Sequence, residues 1–323
     1  MNEPNLWRPS ASLDALKRRA QALATTREFF RQRNVLEVET PALINAPVSD
    51  VNIGSVRVEM PGRDGAPLFL HTSPEYAMKR LLAAGSGDIY QVCRVFRGAE
   101  RGRQHNPEFT MVEWYRLGFS LDALMREVAE LVCTLLGRDL PVEKLSYRDA
   151  VRRHAGFDPL DADARTLQVT AQALGLDAHR CREAGRDELL DLIVGAQVGP
   201  ALGATALTFV HRYPASQAAL ARLDPDDARL ALRFELYYRG MELANGYHEL
   251  SNAAEQRMRF NKDQQSRQQR GLPVHEFDPW LLAALDAGIP DCAGVALGFD
   301  RVVMLAMNAS SIDEVLAFPV ERA

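Results

Sequence analysis

Residues 91–115, QVCRVFRGAERGRQHNPEFTMVEWY, decide how the rest of the chain is read. The stretch opens with the apolar/polar alternation of QVCRVF, breaks into a turn rich in glycine and arginine, and returns through EFTMVEWY. Alternation with a period of two marks a strand, so the spacing predicts a hairpin. Arg94, Arg97, Arg101 and Arg103 crowd its turn, with His105 and Asn106 on the far side. Arginine offers a planar fork of donors that matches phosphate oxygens. A tip so loaded suits a polyphosphate and a purine, although the same residues would serve a solvated basic hairpin.

Length and composition bound what surrounds this hairpin. A chain of 323 residues can form one large domain or two modest ones. No apolar run is long enough to span a bilayer, and MNEPNLWRPS lacks the charged start and apolar core of a secretory signal. Cys93, Cys133, Cys181 and Cys292 are scattered without paired spacing, which points to reduced thiols in the cytoplasm rather than a disulfide framework or a zinc site. A net charge of −5 argues against a broad duplex-binding face, so local basic clusters are read as sites.

Taken in order, Ser10 to Arg33 carries a helical apolar stripe with Ser12 or Ser10 as cap. VLEVETPAL predicts a short edge strand closing at Pro41. Asn52–Met60 and Pro67–His71 predict two strands around the turn PGRDGAP. HTSPEYAMKRLLAAG predicts a helix capped by Thr72 or Ser73, with Pro74 and Glu75 in its first turn and a stop at Gly85. A carboxylate at that start can receive a substrate ammonium, and capping alone also explains it. Leu121 to Leu136 predicts an amphipathic helix, and about 141–204 a mostly helical insertion without a catalytic constellation. Thr205–Pro214 and Ala231–Leu250 return to strands, the second pair turning at Gly240. Glu242 and Glu249 are seven residues apart, which in an unbroken strand puts them on opposite faces. A bend at Gly246 is expected to bring them to one side, where Mg²⁺ would relieve their repulsion against a polyphosphate. Ser251 to Arg270 predicts a polar helix, and PDCAGVALGFDRVVMLAM a strand of small residues leading into a buried helix. Neither a GxxxxGK[ST] loop nor a strand-linked GxGxxG occurs.

VETP, the Arg97–Phe109 loop, ELANGYHEL and GVALGFDR together resemble motifs 1, 2 and 3 of the class II aminoacyl-tRNA synthetases, and HNPEFTMVEWY and NGYHEL are most similar to the lysyl branch. The resemblance runs from the first helix to the C-terminus. A lysyl-tRNA synthetase also carries an N-terminal OB-fold that reads the anticodon, whereas here the catalytic pattern starts within the first dozen residues, so no such module is expected. WRPSAS, TSPEY, YPASQ, ELANGYHEL and PDCAGVALG are similar to the freestanding lysyl-type ligases that activate (R)-β-lysine with ATP and transfer it to a lysine ε-amino group of elongation factor P.

The resemblance implies roles residue by residue. Arg97 matches the arginine that holds the α-phosphate and Arg301 the arginine on the terminal phosphates. Gly98 and Ala99 fall in the nucleotide loop, Asn106 and Phe109 frame adenine, and Leu243 and Gly298 line the nucleoside. Glu242 and Glu249 match carboxylates holding Mg²⁺. Ser73, Pro74, Glu75, Glu113, Tyr115 and Glu249 match the amino-acid pocket, with Ala296 where lysyl enzymes carry glycine. The family's glutamate two places after the motif 2 arginine is replaced by Ala99, with Glu100 following, and Gln104 replaces a common arginine.

The implied fold is α+β, a mixed and mainly antiparallel sheet flanked by helices, forming one catalytic domain over 1–323. A homodimer around Val35–Leu43, a cytoplasmic location, no membrane contact and no stable tRNA binding are expected. Two other readings are a truncated enzyme that charges tRNA or makes free adenylate, and a silent amino-acid-sensing paralogue. A silent paralogue would be expected to lose a phosphate arginine or metal carboxylate, and all four are present.

Overall fold

Helices and strands alternate along the chain because its apolar period switches repeatedly between 3.6 and two. The structure, a computed structural model, describes residues 7–61, 67–98 and 100–323. It begins with α1 (Leu13–Arg31), β1 (Leu36–Glu37), β2 (Leu43–Ile44), β3 (Val56–Val58), β4 (Leu68–Leu70), α2 (Glu75–Ala83), β5 (Ile89–Phe96) and β6 (Glu108–Leu117). There follow α3 (Leu121–Leu136), β7 (Val142–Ser146), α4 (Tyr147–Ala155), α5 (Ala164–Ala173), α6 (Ala178–Glu183) and α7 (Arg186–Ile193). The chain ends with β8 (Leu207–Pro214), β9 (Leu230–Tyr238), β10 (Met241–His248), α8 (Ala253–Gln269), α9 (Pro279–Ala287), β11 (Cys292–Gly298) and α10 (Phe299–Met307). The class is α+β, as expected. Contacts divide the chain into two units, Met1–Ser120 with Glu130–Arg138 and Leu250–Ala323, and Leu121–Ala129 with Asp139–Glu249.

In the first unit the strands run in the order β1, β5, β6, β11, with β1 parallel to β5 and the other pairs antiparallel. The hairpin predicted from residues 91–115 is β5 and β6, with Cys93 opposite Met111 and Gln91 opposite Glu113. Ser12, one of the two expected caps, accepts from the Ala15 amide at 3.1 Å and starts α1. Phe30 of α1 stacks on Tyr90 at 4.3 Å and meets Trp114 edge-on at 5.3 Å, which ties the helix to both hairpin strands. The strand read from VLEVETPAL is reduced to β1, two residues at the sheet edge, and β2 pairs instead with β4 in a small three-stranded sheet.

The second unit has the strand order β10, β9, β8, β7, antiparallel except for β7 beside β8. β7 lies inside the stretch expected to be mostly helical. Its five residues carry a strand only because β8 offers a free parallel edge, a long-range condition that local periodicity does not contain. The β9–β10 turn has positive φ at both Arg239 (52°) and Gly240 (71°), the twist that matches a two-residue hairpin. A Cβ on Gly240 would lie 2.8 Å from the Pro200 carbonyl oxygen, so glycine is needed there on two counts.

The expected bend at Gly246 does not occur. Gly246 pairs in regular register with Phe234, and the irregularity falls between Glu242 (opposite Tyr237) and Ala244 (opposite Leu236). The extra residue is Leu243. One bulge anywhere between Glu242 and Glu249 restores the parity, and the register places it next to the turn rather than at the glycine. Glu242, Asn245 and Tyr247 therefore share a face with Tyr237, Glu235 and Arg233.

Candidate active site

Adjacent strands of the first unit align the residues singled out by the sequence into rows. Glu113 of β6 lies between Gln91 of β5 and Ala296 of β11, and Met111 lies between Cys93 and Gly298. Tyr115 faces Gly294, and Phe109 faces Val95. Large side chains on β6 are thus flanked by Gly294, Ala296 and Gly298, and small residues leave room for a flat or slender ligand over the strand.

Glu113 is buried, and two hydroxyls converge on it: Ser73 donates to Oε2 and Tyr115 to Oε1, each at 2.7 Å. Two hydroxyl donors give the carboxylate a defined orientation, the arrangement an ammonium ligand requires. Ser73 also accepts from the Glu75 amide at 3.0 Å, a local turn just ahead of α2, whose N-cap is Pro74 without a side-chain cap rather than the expected Thr72 or Ser73. Pro74 precedes α2 and is buried. Glu75 is paired within its own helix, with Lys79 Nζ at 2.8 Å from Oε1, and Lys79 is almost wholly buried. Its carboxylate is thus already bound to a cation in this structure.

Arg97 leaves the end of β5, where its amide donates to the Pro107 carbonyl at 2.8 Å and closes the loop neck. Its guanidinium stands 5.2 Å from the Phe109 ring centroid and 3.6 Å from Glu100. The buried Nε of Arg97 has no hydrogen-bond partner among the described residues. A buried donor without an acceptor is costly, and an anionic ligand oxygen would satisfy it. Gly98 is pinned to the Gly54 carbonyl at 2.8 Å, while Ala99 lies outside the described residues. Asn106 is buried with both ends of its amide on backbone, donating to the Glu108 carbonyl at 2.7 Å and accepting from the Val320 amide at 3.1 Å.

Arg301 sits in the first turn of α10 and donates to His105 Nε2 at 2.6 Å and weakly to the Gln104 carbonyl at 3.4 Å. Sequence reading passed over what anchors this turn. Asp300, buried, meets Arg19 of α1 at 2.5 Å and accepts from the Thr110 amide at 2.8 Å, while Arg19 also donates to Thr110 Oγ1 at 2.7 Å. This triangle joins α1, β6 and α10 immediately beside Arg301. The signal was present in the pair Asp300-Arg301 at a helix start, but its partner lies 281 residues upstream at Arg19.

Burial, followed by the Arg301 charge, holds the His105 imidazole below its usual range. His71, buried against the Arg94 carbonyl, is shifted the same way by desolvation. Because the folded state disfavours the protonated ring, the stability contributed by neutral His105 is complete above about pH 6.5 and is lost as pH falls below it. Acid melting curves are expected to show this: His105→Gln, which can still accept from Arg301, should lose less thermal stability than wild type between pH 7.5 and pH 5.5. Equal losses would refute the role.

In the second unit, Glu242 lies on the shared face described above, with Leu243 at the bulge, and Glu249 follows just beyond the end of β10. Glu249 is buried and bridges to Ala221. The face also carries Glu235, a carboxylate the sequence reading did not single out. Arg233 and Tyr237 both donate to Glu235, the latter at 2.6 Å. Arg233 further donates to Asn245 at 3.2 Å and lies 4.3 Å over the Tyr213 ring. Glu235, Arg233, Tyr237, Asn245 and Tyr247 therefore form a connected polar network on this face.

Residues 5–322 match the family described as tRNA synthetases class II (D, K and N), and the chain belongs to that family. Within it, the chain is 51% identical over 326 residues, covering 100% of both chains, to a Klebsiella pneumoniae (strain 342) protein named elongation factor P–(R)-beta-lysine ligase. A Pectobacterium carotovorum subsp. carotovorum (strain PC1) protein of the same name is 49% identical over the same span.

Proposed function

We propose that this chain activates (R)-β-lysine with ATP and transfers it to the ε-amino group of one lysine on elongation factor P. The observation that carries this reading is Glu113, a buried carboxylate oriented by Ser73 and Tyr115 and flanked by the small residue Ala296, on the same β5–β6 hairpin whose loop carries Arg97. The names of the full-length relatives support the choice of amino acid and acceptor.

In the first step the carboxylate oxygen of the amino acid attacks the α-phosphorus of ATP, the bond to the bridging oxygen breaks and pyrophosphate leaves. Arg97 neutralises charge growing on the α-phosphate, and Arg301 that on the leaving pyrophosphate. Asn106 and Phe109 frame the adenine, with Gly98, Ala99, Leu243 and Gly298 around the nucleotide. Mg²⁺ would be held by Glu242 and Glu249 together with phosphate oxygens, a donor set that suits this ion, and would supply charge neutralisation. Ser73, Pro74, Glu75, Glu113, Tyr115, Glu249 and Ala296 hold the amino acid, and the Ala296 methyl group distinguishes a β- from an α-amino group. In the second step a neutral lysine amine attacks the carbonyl carbon, loses a proton and expels AMP. The reading includes one catalytic domain over 1–323 with a helical insertion at 141–204, a homodimer through Val35–Leu43, and work in the cytoplasm without stable tRNA binding. No described helix is long and apolar enough to cross a membrane.

The test is ATP–pyrophosphate exchange with (R)-β-lysine and with α-lysine, followed by mass analysis of elongation factor P. Exchange with (R)-β-lysine and a matching mass increase on one lysine are expected. No exchange, or transfer to tRNA alone, would overturn the reading. Glu113→Gln should raise the KM for (R)-β-lysine by about 10- to 100-fold, because a charge-assisted bond is replaced by a neutral one. The KM for ATP should stay within about twofold; a larger ATP effect would remove Glu113 from the amino-acid pocket.

A further inference from the structure

Arg101, at the tip of the β5–β6 loop, was grouped by sequence with the cations suited to phosphate. Its guanidinium is committed elsewhere. Nε and Nη2 grip both oxygens of Glu321, the second at 2.8 Å, and Nη2 also reaches Asp313 at 3.0 Å. The remaining nitrogen, Nη1, donates to the Gly102 and His105 carbonyls at 3.2 and 3.3 Å, across the small bridge that closes the tip. One side chain thus staples the tip to itself and to the C-terminal segment.

That segment is well suited to hold a loop. Buried Ile312, Val315 and Leu316 anchor it, and a capping box between Ser311 and Glu314 fixes its first turn. Its far side is zipped to the chain start through the Ser10 amide on Ala317 and the Ala11 amide on Leu316, at 2.8 and 3.1 Å. From this anchorage the Ile312 amide donates to the Arg103 carbonyl at 2.9 Å and the Val320 amide to Asn106. Four contacts, from Ile312, Asp313, Val320 and Glu321, therefore land on residues 101–106.

We infer that residues 311–322 form a strap that presets the nucleotide loop, with Arg101 as its positioning residue. This rests on the reading that the loop binds ATP. The loop contains Gly98 and Gly102 and the mutually repelling Arg97, Arg101 and Arg103. Unrestrained, such a segment samples many conformers, and ordering it would weaken nucleotide binding. The carboxylates of Asp313 and Glu321 neutralise Arg101 and hold its charge away from the phosphates, leaving Arg97 and Arg301 to engage them. A lone exposed ion pair contributes little, but a bidentate arginine in a network is the favourable case.

The experiment compares Arg101→Ala, the pair Asp313→Asn/Glu321→Gln, and all three changes together. Each should raise the KM for ATP, and the Kd for ATP by calorimetry, by about fivefold, while the KM for (R)-β-lysine and the melting temperature hold. The triple variant should be no worse than Arg101→Ala alone, because all three changes remove one interaction. ATP constants within twofold of wild type, additive losses, or a parallel rise in the amino-acid KM would each overturn the strap. A wild type that binds ATP without supporting exchange would sink the proposed function, and the calorimetric constants would still decide this inference. A wild type that binds no ATP would sink both.

Discussion

Replacing Arg301 by alanine should lower ATP–pyrophosphate exchange by about a thousandfold, the scale of losing one preorganised cation at a phosphoryl-transfer site. The guanidinium stands at the start of α10, and the bonds described for it are to a loop carbonyl and to His105. Those bonds hold the side chain in place without carrying much of the fold, so circular dichroism should match wild type. Arg301→Lys separates charge from geometry. It keeps the cation and loses the planar fork, and exchange should recover only in part. A fully active alanine variant would remove Arg301 from the phosphate site.

The second large effect falls on stability. Asp300→Ala should destabilise the protein by about 3–5 kcal/mol, since it leaves Arg19 buried without its counter-charge and the Thr110 amide without its acceptor. Both side chains are well screened from water, with exposures of 10% for Arg19 and 2% for Asp300. Chemical denaturation should show a clear fall in midpoint. The paired replacement Arg19→Met/Asp300→Leu should cost less than Asp300→Ala alone, because it removes both charges rather than stranding one. An unchanged midpoint for Asp300→Ala would show that the triangle carries no structural weight. Exchange should fall along with stability in Asp300→Ala, for Arg301 is its chain neighbour and shares the helix turn that Asp300 fixes.

Much of this was legible in one dimension. Alternation in QVCRVF and EFTMVEWY located β5 and β6. The turn formers around Gly240 located the β9–β10 hairpin, and the amphipathic stripe of residues 121–136 matched α3 at both ends. The candidate site was readable wherever residue type and spacing are local, as in Ser73-Pro74-Glu75 or Gly298 before Arg301. What escaped was non-local. The bulge was expected at Gly246, where a glycine permits it, and formed at Leu243, because the register of β10 on β9 is a property of the pair and not of one strand's residues. β7 escaped because its strand state depends on β8, more than fifty residues away. Glu235 escaped because it looks like one more alternating strand residue until Arg233 and Tyr237 are seen on it.

The sequence by itself determined the family and nominated candidate groups for its chemistry, because motifs are written in residue type and order. Only the tertiary structure decided what each of those groups is bonded to. It set Glu113 beneath Ser73 and Tyr115, engaged Glu75 with Lys79, and left Arg97 Nε buried without a described partner. Residue type alone does not separate the four arginines of the 91–115 stretch, although the motif match singles out Arg97. In space Arg97 faces Phe109, whereas Arg101 is bound to carboxylates at the other end of the chain. Charge is a property of the residue, but the role of a charge depends on where its counter-charge folds.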